Sequence, residues 1–219
     1  MKKKKHVLLT GFGSFGNVDV NPSELFCKKV DKQELKIDNI AIVKVSIDGV
    51  KTYLKTIKHY MKENEGDEFL LVHLGVAASS KCIKIEQVGY NEANFRIQDV
   101  DGNQPLGENI NKEGPATLKT KITLPNVDKL SKQYKEFQSH LNSNENDSLI
   151  DGQSCSTSGI IQLSTNPGRY ICNYMYYSSL LLTSSLNNGS TSVFIHLPSQ
   201  HTIPMVKQNE MIKTILKDF

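Results

Sequence analysis

The chain has 219 residues and carries 26 Lys and Arg against 23 Asp and Glu, which gives a formal net charge of +3. This length suits a single domain with a full hydrophobic core. The near balance of charge argues against a nucleic-acid partner, which would need a wide basic face. Part of the small basic excess comes from one short N-terminal run, Lys2–Lys5. No apolar run could span a membrane and the N-terminus lacks the apolar region of a signal peptide, so we expect a cytoplasmic protein without a membrane partner.

The cysteines and histidines form no metal-binding pattern. The four cysteines include no CxxC pair, and none of the six histidines belongs to an HExxH motif. In a reducing compartment the cysteines should be free thiols. We therefore predict neither a metal site nor a cofactor.

The first half of the chain alternates predicted strands with a predicted helix. The strands are His6–Leu9, Ile40–Ser46 and Phe69–Leu74, and Asp48–Lys62 has the apolar spacing of a helix. The continuous apolar run of the third strand is typical of the middle of a parallel sheet. This order of elements favours an α/β fold.

A glycine-rich segment, Thr10–Gly16, follows the first strand. Its spacing is not GxGxxG and it has no GK[ST], so it is not predicted to bind phosphate. Phe12 and Phe15 are unusual in such a segment, and they either anchor it to the core or line a flat apolar pocket for a small ring. A helix is then predicted to begin with Asn21 or Ser23 as its N-cap.

The middle of the chain holds three further candidates for a site. Small residues at Gly75–Ala78 either let a ligand approach the backbone or form a tight turn. Cys82–Val88 alternates as a half-buried strand that contains Glu86, although a lone Glu in a strand usually faces solvent. Arg96 and Asp99 follow, and the simplest interpretation of these two is a surface ion pair of little energetic value.

The last third of the chain completes the predicted fold. A helix is predicted at Asn126–Leu141, and the polar segment 142–158, which contains Cys155, is predicted to be a mobile insertion. A strand at Gly159–Ser164 and a closing helix at Met205–Leu216 follow. Together the elements predict one domain over residues 1–219, an α/β/α sandwich with a mostly parallel, doubly wound central sheet.

Cys172 and His196 are the strongest candidates for chemistry. Pro167-Gly168 predicts a turn, after which Cys172–Leu186 has a helical pattern. A thiol in the first turn of a helix ionises more easily, although most free cysteines are small buried hydrophobes. His196 lies near the end of the predicted strand 192–198, so the two side chains can meet at one sheet edge, with a carboxylate to orient the imidazole.

Four blocks of the chain, between Val7 and about Leu216, resemble the pyroglutamyl-peptidase I (pyrrolidone-carboxylate peptidase) family. The blocks are TGFGSFG with VNPS (Thr10–Gly16, Val20–Ser23), HLGVAAS (His73–Ser79), IEQVGYNEANFRIQDVDG (Ile85–Gly102), and GRYICNYMYYSSL with FIHLP (Gly168–Leu180, Phe194–Pro198). The resemblance implies a cysteine peptidase that acts on N-terminally pyroglutamylated peptides, and it leaves homo-oligomer formation open.

The resemblance also implies roles for individual residues. The catalytic group would be Cys172, His196 and Glu86. The substrate would be bound by the aromatic rings of Phe12 and Phe15, the backbone at Val76 and the side chain of Arg96. Asp99 and Asn21 would be supporting residues.

Two rival interpretations remain at this point. Pro167 stands where the family usually has Ala, and proline fixes φ and removes an N–H, so the position of Cys172 could differ. This departure motivates a protein that binds a pyroglutamyl ring with weak or no turnover. The second rival is a different amidase or a nucleoside-type hydrolase on the same scaffold, because a fold does not determine a function.

Overall fold

The computed structural model describes residues 3–122 and 160–219, and its centre is a six-stranded sheet. The predicted helix Asn126–Leu141 and the segment 142–158 with Cys155 lie outside the described residues. The strands found in the described ranges are β1 (Lys5–Phe12), β2 (Asn39–Val43), β3 (Glu68–Val76), β4 (Ile83–Glu86), β5 (Val88–Tyr90), β6 (Ala93–Asn94), β7 (Leu106–Glu108), β8 (Thr117–Lys119), β9 (Ile161–Ser164) and β10 (Thr191–Leu197). The helices found there are α1 (Pro22–Lys29), α2 (Ile47–Glu63), α3 (Ile171–Ser184) and α4 (Met205–Lys217).

The sheet has the strand order β2-β1-β3-β10-β4-β9. The first four strands are parallel, whereas β4 pairs with β10 antiparallel and β9 runs parallel to β4. Two small antiparallel pairs, β5 with β8 and β6 with β7, lie outside this sheet. The predicted mostly parallel central sheet is therefore confirmed, with two strands of opposite direction at one side.

Helices cover both faces of the sheet. On one face α1 and α4 pack against alternate strand residues such as Leu9, Val72 and Ile195. On the other face α2 and α3 pack against the intervening residues, of which Leu71 and Phe194 are examples. Because successive strand residues point to opposite faces of the sheet, helices pack on both faces and the fold has three layers, helix, sheet and helix. No helix in the described ranges is long and apolar enough to cross a membrane.

The first strand is longer than predicted. The prediction ended it at Leu9 because glycines follow, but Thr10, Gly11 and Phe12 continue the pairing with β2. A Cβ at Gly11 would lie 2.5 Å from the Ser23 carbonyl oxygen, so only glycine allows α1 to pack this close. The start of the glycine-rich segment is therefore strand and not loop, because it pairs with β2 and packs against α1.

His73 is a polar residue fully enclosed in the middle of the sheet, on β3. Its Nδ1 lies 2.7 Å from Thr10 Oγ1, and its Nε2 has no hydrogen-bond partner among the described residues. Burial lowers the pKa of His73 to about 3, because the charged imidazolium would lose its hydration. His73 therefore stays neutral throughout the pH range in which the protein would be handled.

We expect the free energy of unfolding to fall as the pH drops below about 6.5, where a histidine of the unfolded chain takes up a proton. Folded His73 does not bind that proton, so this one group should cost about 1.4 kcal/mol per pH unit. Urea unfolding between about pH 5 and pH 7 measures this slope. His73→Gln should reduce it, and His59→Gln, at an exposed histidine, should not. An equal slope in wild type and His73→Gln would contradict the assignment.

Candidate active site

Cys172 lies in the first turn of α3, after a short connecting segment that contains Pro167 and Gly168. Gly168 has φ of +75°, a conformation that glycine adopts without strain. The helix begins at Ile171, and Tyr170, its N-cap, supplies no side-chain hydrogen bond. The earliest hydrogen bond at this helix start runs from the Tyr174 N–H to the Tyr170 carbonyl, so the N–H of Cys172 has no acceptor within the helix.

The β4–β10 pair brings Glu86 beside His196. Glu86 pairs with Phe194, and His196 lies two residues further along β10 on the same face of the sheet. The Nδ1 atom of His196 lies 2.8 Å from Glu86 Oε1. This contact fixes the ring and leaves Nε2 as the nitrogen that can face another group.

Cys172 and His196 lie side by side at the sheet edge. Burial alone would lower the pKa of His196, but the neighbouring Cys172 and the bond to Glu86 outweigh it and raise that pKa to about 9. An independent observation gives the same placement. Gly75 pairs with His196 between β3 and β10, and a Cβ at Gly75 would lie 3.1 Å from the Cys172 sulfur. The sulfur therefore lies over Gly75, next to the imidazole.

The Glu86 carboxylate is completely buried. Its Oε2 has no hydrogen-bond partner in the part of the chain that the structure describes, while Oε1 contacts His196. A buried carboxylate needs a positive partner, and the imidazolium of His196 is placed to supply it. The strand pattern alone suggested a solvent-facing Glu86. The structure buries it because β4 is an inner strand, and the hydroxyl of Tyr176 on α3 donates to the Glu86 carbonyl.

The two phenylalanines of the glycine-rich segment have different surroundings. Phe12 is 2% exposed and belongs to the core cluster beneath α2 and α3. Phe15 is half-buried, and its ring centroid lies 6.1 Å from that of Tyr170. Phe15 and Tyr170 therefore form an aromatic pair beside Cys172, with Phe12 packed below in the core.

Tyr170 is the residue that the sequence reasoning missed. Its ring packs edge-on against Phe95 at 4.8 Å, and its hydroxyl donates to the Gln98 carbonyl at 3.1 Å. Burial first, and then the negative charges of Asp99 and Cys172, raise the pKa of Tyr170. The available signal was an aromatic residue two positions before the candidate nucleophile, in the turn that opens the helix.

Asn21 and Asp99 hold the loops around the site. Asn21 caps α1 through the Ser23 N–H at 3.1 Å and donates to the Gly13 carbonyl at 3.0 Å, which ties the glycine-rich segment to the helix. Asp99 accepts N–H groups from Ile47, Asp101 and Asn103. Burial alone would raise the pKa of Asp99, but these donors hold it below its usual range.

Val76 and Arg96 lie at the border of the site. Val76 ends β3, one residue after the glycine that contacts the Cys172 sulfur. Arg96 is exposed, follows the buried Phe95, and forms no hydrogen bond or ion pair within the described residues. In residues 3–122 and 160–219, no three His, Cys, Asp or Glu side chains lie close enough to hold a metal ion.

The comparisons with known proteins identify the family. The pyroglutamyl peptidase family model matches residues 5–136, which is more than half of the chain. The chain belongs to the pyroglutamyl peptidase family. A pyrrolidone-carboxylate peptidase of Fusobacterium nucleatum is 31% identical over 200 residues, covering 89% of this chain and 78% of the relative. One from Bacillus subtilis is 27% identical over 218 residues, covering 98% and 88%.

Solved structures show the shared fold. The pyrrolidone carboxyl peptidase of Fervidobacterium islandicum superposes with a TM-score of 0.71 at 24% identity, over 98% of this chain and 97% of its own. The enzyme of Thermococcus litoralis gives 0.70 at 24% identity, over 98% and 92%. The family resemblance and the fold class expected from the sequence are both confirmed.

Proposed function

We propose that this pyroglutamyl peptidase family member is a cysteine peptidase that releases N-terminal pyroglutamate through Cys172, His196 and Glu86. The observation that carries the proposal is the placement of the Cys172 thiol beside an imidazole that is itself hydrogen-bonded to a buried carboxylate. A nucleophile, a base and a residue that orients the base are the parts that covalent acyl transfer requires. The family membership supports the same reaction class.

Acylation begins at the Cys172 sulfur. The thiolate attacks the carbonyl carbon that joins pyroglutamate to the next residue. The oxyanion that develops accepts the backbone N–H of Cys172, with Arg96 as the neighbouring cation. The C–N bond then breaks as His196 gives its Nε2 proton to the leaving amine, and a pyroglutamyl thioester remains on Cys172.

Deacylation reverses the proton transfer. His196, now neutral, takes a proton from a water molecule whose oxygen attacks the thioester carbonyl. The C–S bond breaks, pyroglutamate leaves, and the thiolate of Cys172 again faces the imidazolium of His196. Glu86 keeps the proton on Nδ1 throughout, so Nε2 alone exchanges protons with the substrate.

The surroundings of Cys172 suit a small neutral ring. A pyroglutamyl residue has no free amine, so its recognition needs an apolar slot and hydrogen bonds from backbone. Phe15 and Tyr170 supply the walls, Phe12 the floor, and the backbone at Val76 the groups for the lactam. A lactam satisfied in this way excludes analogues that lack its N–H or C=O, because the backbone groups would be left unpaired.

The rival functions account for less of the structure. A binding protein needs the slot but no thiol beside a buried histidine–carboxylate pair. Pro167 does not separate Cys172 from His196, so the reason for expecting weak turnover is weakened. We place the protein in the cytoplasm, since its chemistry depends on a reduced Cys172, and Cys27 and Cys82 are also free thiols.

The test is hydrolysis of a pyroglutamyl chromogenic amide by wild type and by Cys172→Ser. The wild type should release the chromophore and the variant should not. Amides of other acyl groups and free nucleosides, assayed in parallel, should not be hydrolysed. Binding of a pyroglutamyl amide without turnover by the wild type would favour the binding protein, and turnover of nucleosides or other acyl amides alone would favour the second rival.

Truncation of Phe15 should weaken binding of the ring. Phe15→Ala is expected to raise KM for a pyroglutamyl amide about tenfold or more, because an apolar wall of the slot is lost. Phe12→Ala should also lower the free energy of unfolding by about 3–5 kcal/mol, since it opens a cavity in the core. Phe12→Leu keeps most of that volume and should raise KM in a folded protein. An unchanged KM in Phe15→Ala and Phe12→Leu would make both residues core anchors only.

A further inference from the structure

A cavity of about 330 Å³ lies at the carboxyl edge of the sheet, next to the proposed active site. One wall is the segment 17–20, which follows Phe15, and the opposite wall is the segment 199–201, which follows β10. Val76 and Ala78 form part of its base. Val76 directly follows Gly75, the residue over which the Cys172 sulfur lies. The backbone at Gly75 and Val76 therefore borders both the cavity and the Cys172 sulfur.

The first wall is rigidly connected to the aromatic slot. Phe15 and Val18 exchange two backbone hydrogen bonds, of 3.2 Å and 2.8 Å, across a turn in which Gly16 has φ of +49°. This turn carries the Phe15 ring on the slot side and residues 18–20 on the cavity side. A substrate ring held by Phe15 would therefore lie at a defined distance from the cavity.

The second wall is connected to the catalytic histidine. Residues 199–203 follow His196 after Leu197 and Pro198, and the N–H groups of Thr202 and Ile203 donate to the Ser199 carbonyl. The fully buried amide of Gln208 on α4 donates to the carbonyls of Pro198 and Ile203, at 3.1 Å and 2.6 Å. These bonds hold the wall in place relative to Nε2 of His196.

The leaving part of the substrate is directed toward this cavity. His196 gives its proton to the leaving amine, so the residue after pyroglutamate must lie on the His196 side of the scissile bond. The segment that follows His196 is the second wall of the cavity. A leaving peptide whose new amino group lies beside His196 would therefore extend between the two walls of the cavity.

Asp19 sets the charge of the cavity. It belongs to the first wall and forms no hydrogen bond or ion pair with any residue in 3–122 or 160–219. The facing wall contributes Ser199, Gln200 and His201, and none of the described lining residues is Lys or Arg. An unpaired carboxylate in a partly enclosed site attracts a cation and repels an anion.

We propose that this cavity binds the side chain of the residue that follows pyroglutamate, and that Asp19 makes the enzyme prefer a basic residue there over an acidic one. The inference rests on the proposed peptidase function and adds a second specificity element to it. Because the carboxylate is partly exposed, the preference is moderate. It should weaken as salt screens the interaction.

The experiment compares kcat/KM for two peptide amides, pyroglutamyl-Lys and pyroglutamyl-Glu, by chromatographic detection of released pyroglutamate. Wild type should favour the Lys peptide about fivefold at low ionic strength, the size expected for a partly exposed charge pair. Asp19→Asn should bring the ratio close to one. Glu65→Gln removes an equal charge from the loop before β3, at the opposite end of the sheet, and should leave the ratio unchanged.

The possible outcomes separate the two claims. Cleavage of both peptides at equal rates by wild type, or an unchanged ratio in Asp19→Asn, would overturn the role of Asp19 and leave the peptidase function standing. A ratio that falls equally in Glu65→Gln would show an effect of net charge and would also overturn it. Absence of cleavage of both peptides, with a folded wild type, would overturn the proposed function itself.

Discussion

Cys172→Ser is expected to lower kcat/KM for a pyroglutamyl amide by at least about 10³-fold while the free energy of unfolding stays close to that of the wild type. A serine hydroxyl has the same position in the first turn of α3, but its proton is far harder to remove, so His196 cannot generate the nucleophile. Steady-state assays together with urea unfolding measure both quantities. Iodoacetamide should inactivate the wild type with a single alkylated site, at Cys172.

The other cysteines provide the control. Cys27 is buried, and burial raises the pKa of its thiol to about 12, which makes it a poor nucleophile. Cys82 is also buried, and Cys155 lies outside the described residues. A variant with alanine at these three positions should remain active and should still be inactivated by iodoacetamide. Loss of activity in that variant, correctly folded, would contradict the assignment of Cys172 as the nucleophile.

Glu86→Gln should give the second large effect, a fall in kcat of about 10²–10⁴-fold. The carboxylate accepts a hydrogen bond from Nδ1 of His196 and balances the charge of the imidazolium. A glutamine amide removes that charge and can offer an N–H instead, which favours the wrong tautomer of the imidazole. The neutral imidazole would then carry its proton on Nε2, so it could not take up the proton of the Cys172 thiol, and its charged form would lack the carboxylate that stabilises it.

The same variant should change the pH dependence of kcat/KM. The wild-type activity should fall at alkaline pH, near the raised pKa of His196 of about 9, because the imidazolium that protonates the leaving amine is lost there. Glu86 contributes to that raised pKa, so Glu86→Gln should move the alkaline limb toward neutral pH. Glu65→Gln serves as the control of equal charge. An alkaline limb that stays in place in Glu86→Gln would show that Glu86 does not act on His196.

The elements with strong local signals could be predicted from the sequence. The continuous apolar run of β3 and the helical pattern of α3 depend on neighbouring residues only, and both elements fall within two residues of their predicted bounds. The full length of β1 could not be predicted, because Gly11 pairs with β2 and packs against α1, and both partners are distant in the sequence. The direction of β4 is likewise invisible in a pattern of alternating residues, which is the same in parallel and antiparallel strands.

The candidate site also has some features that the local sequence predicts and others that it does not. The local sequence indicated that Cys172 begins a helix and that His196 ends a strand. The pairing of Glu86 with His196 depends on the antiparallel placement of β4, and only the family resemblance pointed to it. Tyr170 was missed since its partners, Phe15 and Phe95, are distant in the sequence and meet it only in the folded chain.

The most direct measurement of the central claim is peptide mapping by mass spectrometry of enzyme quenched with acid during turnover of a pyroglutamyl amide. We expect that one peptide, the one containing Cys172, gains the mass of a single pyroglutamyl group, and that the modification is absent in Cys172→Ser. Rapid turnover with no acylated peptide at any quench time, or a pyroglutamyl group on another residue, would contradict the proposed thioester mechanism.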